Sequence, residues 1–165
     1  MLALGLQNVV HIENDVLVYC DLDRLVPQLR RLYTGIAATF DNDSRCVPGF
    51  MYIPGAASIA GLTSHILSAL QIAMREQPRV QTNDMMLLGA YRRLGSQAID
   101  HLPIVPPDYP APLRSQTGLL PADAAVYARH FAELGMAFDA AALGQFRSEE
   151  HTSELQSHSF ISYAV

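Results

Sequence analysis

The stretch that most constrains this chain is Asn8–Tyr19, which reads N-V-V-H-I-E-N-D-V-L-V-Y. The apolar run Val9-Val10-His11-Ile12 stops at the polar triplet Glu13-Asn14-Asp15, and the second run Val16-Leu17-Val18-Tyr19 follows at once. A β-branched run of this kind predicts a buried strand. Acids at its end then stand outside the carboxyl end of a strand, where open α/β sheets hold their ligands. Two carboxylates one residue apart repel each other, and a cation between or beside them relieves that repulsion. Hard oxygen donors select Mg2+ or Mn2+, which one or two carboxylates hold together with substrate phosphates. A plain polar turn, with Asn14 and Asp15 as turn formers, uses the same residues, and the triplet taken alone favours it.

Strands and helices alternate along the rest of the chain. Leu6–Ile12 reads as a strand. Leu22, Leu25, Val26, Leu29 and Leu32 recur at helical spacing, with Arg24, Arg30 and Arg31 on the other face. Pro27 is expected at the first position of the main helix and Gly35 at its end. Ile36–Phe40 reads as a strand, Asp41–Arg45 as a polar loop, Val47-Pro48-Gly49 as a turn, and Phe50–Ile53 as a short buried strand closed by Pro54-Gly55. Ala57–Arg75 carries the clearest helical stripe: Ile59, Leu62, Ile66, Leu70, Ala73 and Met74. A further helix opens at Thr82-Asn83-Asp84, with Thr82 or Asn83 as N-cap and Asp84 at the positive end of the dipole. Asp84, Leu87, Leu88 and Tyr91 share a face, so Asp84 is expected to turn toward the sheet edge. Gly95 stops this helix. Ile99–Val105 has strand character, Pro106 to Pro112 an extended loop, and Asp123–Leu134 a helix, with a last helix starting near Asp139. This pattern predicts an α/β sheet flanked by helices in one domain, residues 1–146.

Arg147–Val165 stands apart. Arg147–Gln156 (R-S-E-E-H-T-S-E-L-Q) and the closing Ile161–Val165 resemble the conceptual translation of a sequencing adapter in a single frame. On that resemblance the tail is non-native and expected to be disordered, and its Ser, His and Glu residues are kept out of functional reasoning. The natural chain is then expected to run past Phe146, and Met1 need not be its start. Without the tail, Lys+Arg falls from 11 to 10 and Asp+Glu from 16 to 13, so the net charge moves from −5 to −3. That balance offers no electrostatic case for nucleic acid. Every basic residue is Arg, which points to a GC-rich bacterial gene. Half of the residues are hydrophobic, enough for one core. No unbroken apolar run is long enough to cross a bilayer and no signal-peptide pattern opens the chain. Cys20 and Cys46 lack metal-ligand spacing and read as free thiols, so a cytoplasmic location is expected.

Three stretches in order carry a resemblance: acid-x-acid at a strand end, the strand Gly49-Phe50-Met51-Tyr52-Ile53, and Asn83-Asp84 opening a helix with Leu87-Leu88 behind. Together they resemble the second half of a GT-A-type glycosyltransferase, the nucleotide-diphospho-sugar transferase fold. The likeness spans about residues 6–146 and implies a partial GT-A-like sheet, truncated at both ends, whose base-binding strands are largely missing. It implies that Asp15 is the metal ligand. Glu13 meets the nucleotide ribose or reaches the metal through water, and Asn14 lies in the same cofactor-binding turn. Asn-Asp-Gln is common at the later helix; Met85 stands here in the Gln position, so the acceptor contact departs from the pattern while the carboxylate stays. Phe138–Gln145 resembles a segment that leads into a Gly-Gly-x-Asp loop in bacterial proteins of this kind. The implied chemistry is sugar transfer from a nucleotide-diphosphate sugar to a glycan or other hydroxyl acceptor, with Mn2+ or Mg2+ on the diphosphate and Asp84 as the proton-accepting catalytic carboxylate. Asn83 and Tyr52 are substrate-binding candidates, and the chain as it stands is expected to be poorly active or inactive.

Plainer readings compete at each position. Asp84 is equally suited to serve the helix dipole, Tyr52 to fill the core, and Asp41 and Asp43 to form a solvated turn. Arg45 could meet a phosphate or pair with Asp43. His11 is expected to pack in the core and His101 to be structural. His65 and His130 are expected on helices with no acidic partner at ligand spacing. Two rival functions remain: a non-catalytic glycan- or protein-binding α/β module, and a glycoside hydrolase pairing Glu13 with a second acid at a fixed separation.

Overall fold

The computed structural model describes residues 5–14, 16–42, 45–76, 83–94, 99–108 and 124–138. Its strands form a four-stranded mixed sheet. In chain order the elements are β1 (Val9–Ile12), α1 (Leu22–Leu32), β2 (Ala37–Asn42), β3 (Arg45–Ile53), α2 (Ala56–Glu76), α3 (Asp84–Arg92), β4 (Asp100–His101), α4 (Ala124–Tyr127) and α5 (Phe131–Leu134). The sheet order is β1-β3-β2-β4. β3 is antiparallel to both β1 and β2, and β4 runs parallel to β2. The chain is therefore mixed α/β, as its alternating pattern implies, but with antiparallel pairing dominant.

Period-two alternation sends side chains to two helical layers. Ala38, Phe40, Met51 and Ile53 pack with Leu62 of α2, Leu88 of α3, Ile104 and Tyr127. Ala37, Phe50 and Tyr52 pack instead with Leu25 and Leu29 of α1, Tyr33, Leu134 and Phe138. Leu25, Leu29 and Tyr33 recur every four residues, so one face of α1 and the residue capping it meet the sheet. Gly61 lets α2 approach α3 closely: a Cβ there would lie 2.8 Å from the Tyr91 hydroxyl.

Several expectations are corrected. α1 starts at Leu22, capped by Asp21 Oδ1, which accepts from the Asp23 amide at 2.9 Å; Pro27 lies inside the helix rather than at its start. Pro27 is exposed, and the buried stripe from Leu25 to Leu29 needs an unbroken helix across it. The helix ends at Leu32 with Tyr33 as C-cap, ahead of Gly35. The loop expected over Asp41–Arg45 and the turn expected over Val47–Gly49 give way to strand at the described positions: β2 runs to Asn42, which pairs with Arg45, and β3 continues through Val47-Pro48-Gly49, while Asp43 and Ser44 lie outside the described residues. Pro48 has no N–H to give the ladder, and the register slips there, from Thr39↔Val47 to Ala38↔Met51. The Thr39 hydroxyl donates to the Val47 carbonyl at 3.0 Å inside that bulge.

The run Val16–Tyr19 is not a strand, and Leu17 and Tyr19 are 59% and 67% exposed. The strand character of Ile99–Val105 condenses to Asp100–His101, because Pro103 cannot continue a ladder. The single helix expected over Asp123–Leu134 is two short ones. The Tyr127 carbonyl accepts from Ile104 N at 2.8 Å, and His130 takes a left-handed φ of 63° between them. Thr82, Gly95, the loop beyond Asp108 and the helix expected near Asp139 lie outside the described residues.

Candidate functional site

β1 and β2 both oppose β3, and β4 follows β2, so the carboxyl ends of β1, β2 and β4 share one end of the sheet. Glu13 and Asn14 follow β1 at that end. The Glu13 amide donates to the Gly49 carbonyl at 3.0 Å, and its own carbonyl accepts from Val16 N at 3.2 Å, closing a tight turn. The Glu13 carboxylate lies over the β3 bulge: a Cβ on Gly49 would be 3.8 Å from Glu13 Oε2 and 3.4 Å from Val16 Cγ2. Bulges of this kind re-aim side chains at the rim of a sheet. Glu13 is half-buried and Asn14 exposed; Asp15 lies outside the described residues.

Asp84 arrives at the same end from the other direction. α3 packs on β3, and Arg45 Nη2, at the start of β3, donates to Met85 Sδ at 3.2 Å. Asn83 is the N-cap of α3, its Oδ1 accepting from Met86 N at 2.9 Å. Asp84 Oδ1 accepts from the neighbouring Met85 amide at 2.8 Å. Leu88 is buried, but Asp84 itself is exposed, so the carboxylate faces solvent instead of turning inward as the shared helical face suggests. It sits on the first turn, beyond the part of α3 that the sheet covers. Glu13 and Asp84 therefore share an end of the sheet. They are spread along it: Arg45 and Gly49 are four residues apart on β3, roughly 13 Å at strand rise.

Asn83→Ala separates its two assignments. Loss of the cap should lower stability by about 1 kcal/mol in urea denaturation. Asn83→Ser or Asn83→Asp should restore that stability, and an effect on ligand binding that survives those replacements would mark a substrate contact.

Tyr52 is fully buried, and its hydroxyl donates to Asn8 Oδ1 at 2.8 Å. Burial raises its pKa. The ring belongs to the core, and Asn8, with a left-handed φ of 54°, is held at the entrance to β1. His11 is exposed, contrary to the expected core position: β1 is an edge strand, and His11 points to the α2/α3 side beside Met51, beyond the cover of those helices. Both cysteines are free; Cys46 is buried, and its thiol is pushed up to about 12, which makes it inert at neutral pH.

Sequence reading missed a second group at the opposite, amino end of β2 and β4. His130 Nδ1 lies 3.2 Å from Glu133 Oε1, so His130 does have an acidic neighbour, three residues on. Its ring meets Tyr33 edge-on at 5.3 Å. The Tyr33 hydroxyl donates to the His101 carbonyl at 3.0 Å, and burial drives its pKa upward. Arg129 pairs with Asp100 at 3.6 Å. The His130-x-x-Glu133 spacing was the legible signal. His101 is buried, in keeping with the structural role expected of it, and sits between Phe40 and Tyr127.

Among the described residues no group of three or more His, Cys, Asp or Glu is placed to hold a metal ion. The oxygen donors at the end of β1, the Glu13 carboxylate and the Asn14 amide, are of the hard type that suits Mg2+ or Mn2+, and a full ligand set would need Asp15. No protein-family model, no curated protein and no solved structure matches the chain.

Proposed function

We propose that the chain is part of a metal-dependent glycosyltransferase of GT-A type, which transfers a sugar from a nucleotide-diphosphate sugar to an acceptor hydroxyl. The observation that supports this reading is topological: the acidic turn after β1 and the Asn83-Asp84 start of α3 come to the same end of the sheet. Carboxyl ends of strands are where open α/β folds place ligands. In this reading Glu13 and Asp15 hold Mn2+ or Mg2+, and Asn14 lines the donor side. The cation stabilises the charge that develops on the leaving diphosphate. Asp84, being exposed, is open to an acceptor hydroxyl and takes its proton.

A second reading, a non-catalytic glycan- or protein-binding α/β module, is favoured by one observation. Asn83 Oδ1 and Asp84 Oδ1 both cap α3, which gives these residues a structural task without any chemistry. Calorimetric titration of the chain with uridine and guanosine diphosphates, with Mn2+ and then with excess chelator, separates the two. The transferase reading expects binding that needs Mn2+ and weakens about tenfold or more in Asp15→Asn and Glu13→Gln. Nucleotide binding indifferent to the chelator, or none at all, would leave the binding-module reading.

A further inference from the structure

We infer that Thr39 and Gly49 are positioning residues for the acidic turn after β1: together they hold the β3 bulge against which Glu13 is placed. What the turn binds rests on the glycosyl-transfer reading; how it is held does not. The β2–β3 ladder passes from Thr39↔Val47 to Ala38↔Met51, one step along β2 against four along β3. Pro48, Gly49 and Phe50 are therefore the residues that β3 inserts without a register partner on β2. The same residues carry the end of β1. Ile12 pairs with Phe50, and the Glu13 amide donates to the Gly49 carbonyl at 3.0 Å. Where β3 departs from β2 it receives Glu13, so the shape of the bulge is passed directly into the turn.

Residue type accounts for both ends of this connection. Thr39 is fully buried, and with His101 it makes up the buried polar side chains among the described residues. A hydroxyl taken out of water costs stability unless it is bonded, and valine would suit a buried strand position of the same shape. The Thr39 hydroxyl is bonded: it donates at 3.0 Å to the carbonyl of Val47, the last residue in register before the inserted ones. That bond fixes the point at which β3 leaves β2. Gly49 is buried as well, and its φ lies outside the left-handed region, so the backbone does not call for glycine. Space does. A Cβ there would make ordinary contact with Val16 Cγ2 at 3.4 Å and Glu13 Oε2 at 3.8 Å. A branched side chain extends further in two directions and would press on one or the other. Glycine in a strand interior marks such a close approach. Val16 is itself tied to the turn, its amide donating to the Glu13 carbonyl at 3.2 Å. Displacing either neighbour therefore moves the Glu13 carboxylate.

Two measurements on the full chain test this, each made on the wild type, Thr39→Val, Thr39→Ser, Gly49→Val and Gly49→Ala. Amide hydrogen exchange, followed by nuclear magnetic resonance, reads the turn itself. In the two valine variants, protection of the Glu13 amide should fall about tenfold or more relative to that of Ile104. The Ile104 amide, bonded to the Tyr127 carbonyl at 2.8 Å, reports general loss of stability. Thr39→Ser keeps the hydroxyl and Gly49→Ala adds only a Cβ in ordinary contact, so both should stay within about twofold of the wild type. Electron paramagnetic resonance with Mn2+ alone reads the consequence. The dissociation constant should rise about tenfold or more in the valine variants and recover in the serine and alanine variants. Glu13 protection that keeps pace with Ile104 in the valine variants overturns the proposal. So does wild-type Mn2+ affinity in those variants, or a Thr39→Ser variant as loosened as Thr39→Val. A wild-type chain that does not bind Mn2+ sinks the glycosyl-transfer reading, and the exchange ratio then decides the proposal by itself. Should one valine variant fail to fold, the other gives both readouts.

Discussion

Phe40→Ala should destabilise the chain by about 3–5 kcal/mol, enough to leave a domain of ordinary stability partly unfolded at room temperature. Phe40 is fully buried on β2, opposite Cys46 of β3. Its ring lies 4.3 Å from the centroid of His101 and beneath Arg92, whose Cζ is 4.8 Å above it. Truncation therefore removes more than apolar contact. It opens a cavity between the sheet and α3, and it takes away the aromatic face on which a half-buried guanidinium rests, an attraction on the order of 1–2 kcal/mol when desolvated. Phe40→Leu keeps most of the volume, loses the ring, and should fall well short of the alanine variant. Urea denaturation of the three proteins measures the series. A loss below about 1 kcal/mol for Phe40→Ala would mean that the stack does not hold this side of the core together.

The outline of this fold is written in hydrophobic period, and what period cannot express is where the outline fails. Leu25, Leu29 and Leu62 are core residues because their spacing says so, and all are buried. Asn83 was readable as an N-cap because the cap is a local interaction, complete within four residues. Pro48 was misleading for the converse reason. A proline next to a glycine ordinarily signals a turn, but here pairing on both sides, to β1 and β2, holds the strand through a register slip. The break between α4 and α5 was equally unreadable, since it depends on the Tyr127 carbonyl being taken by Ile104, 23 positions earlier in the chain. The same limit applies to the candidate site. The acidic turn and the Asn83-Asp84 cap were legible one at a time. That they share a sheet end depends on strand order, and β3 entering between β1 and β2 is a long-range fact with no local signature.

His101 supplies the second large effect, a dependence of stability on pH. The side chain is 4% exposed, and among the described residues neither ring nitrogen has a hydrogen-bond partner. Burial first, then the positive charges of Arg92 and Arg129, lower its pKa from the ordinary 6.5 to about 3. The folded chain therefore keeps the imidazole neutral, while the unfolded chain protonates it as pH falls through 6.5. Below that point the unfolded state binds one more proton than the folded state, and stability drops by about 1.4 kcal/mol per pH unit until the folded-state imidazole itself titrates. Carboxylates and the other histidines add their own dependence, so the informative quantity is a difference between two proteins. His101→Phe keeps an aromatic ring between Phe40 and Tyr127 and removes both unpaired nitrogens. At pH 7 it should match or exceed the wild type. At pH 4.5 its advantage should grow by roughly 3 kcal/mol, read from urea midpoints at the two pH values. A gap that stays constant between them would mean that the imidazole is not held neutral in the fold. The burial of His101 beside Phe40 and Tyr127 would then be wrong, and the edge of the sheet at β4 would have to be packed differently.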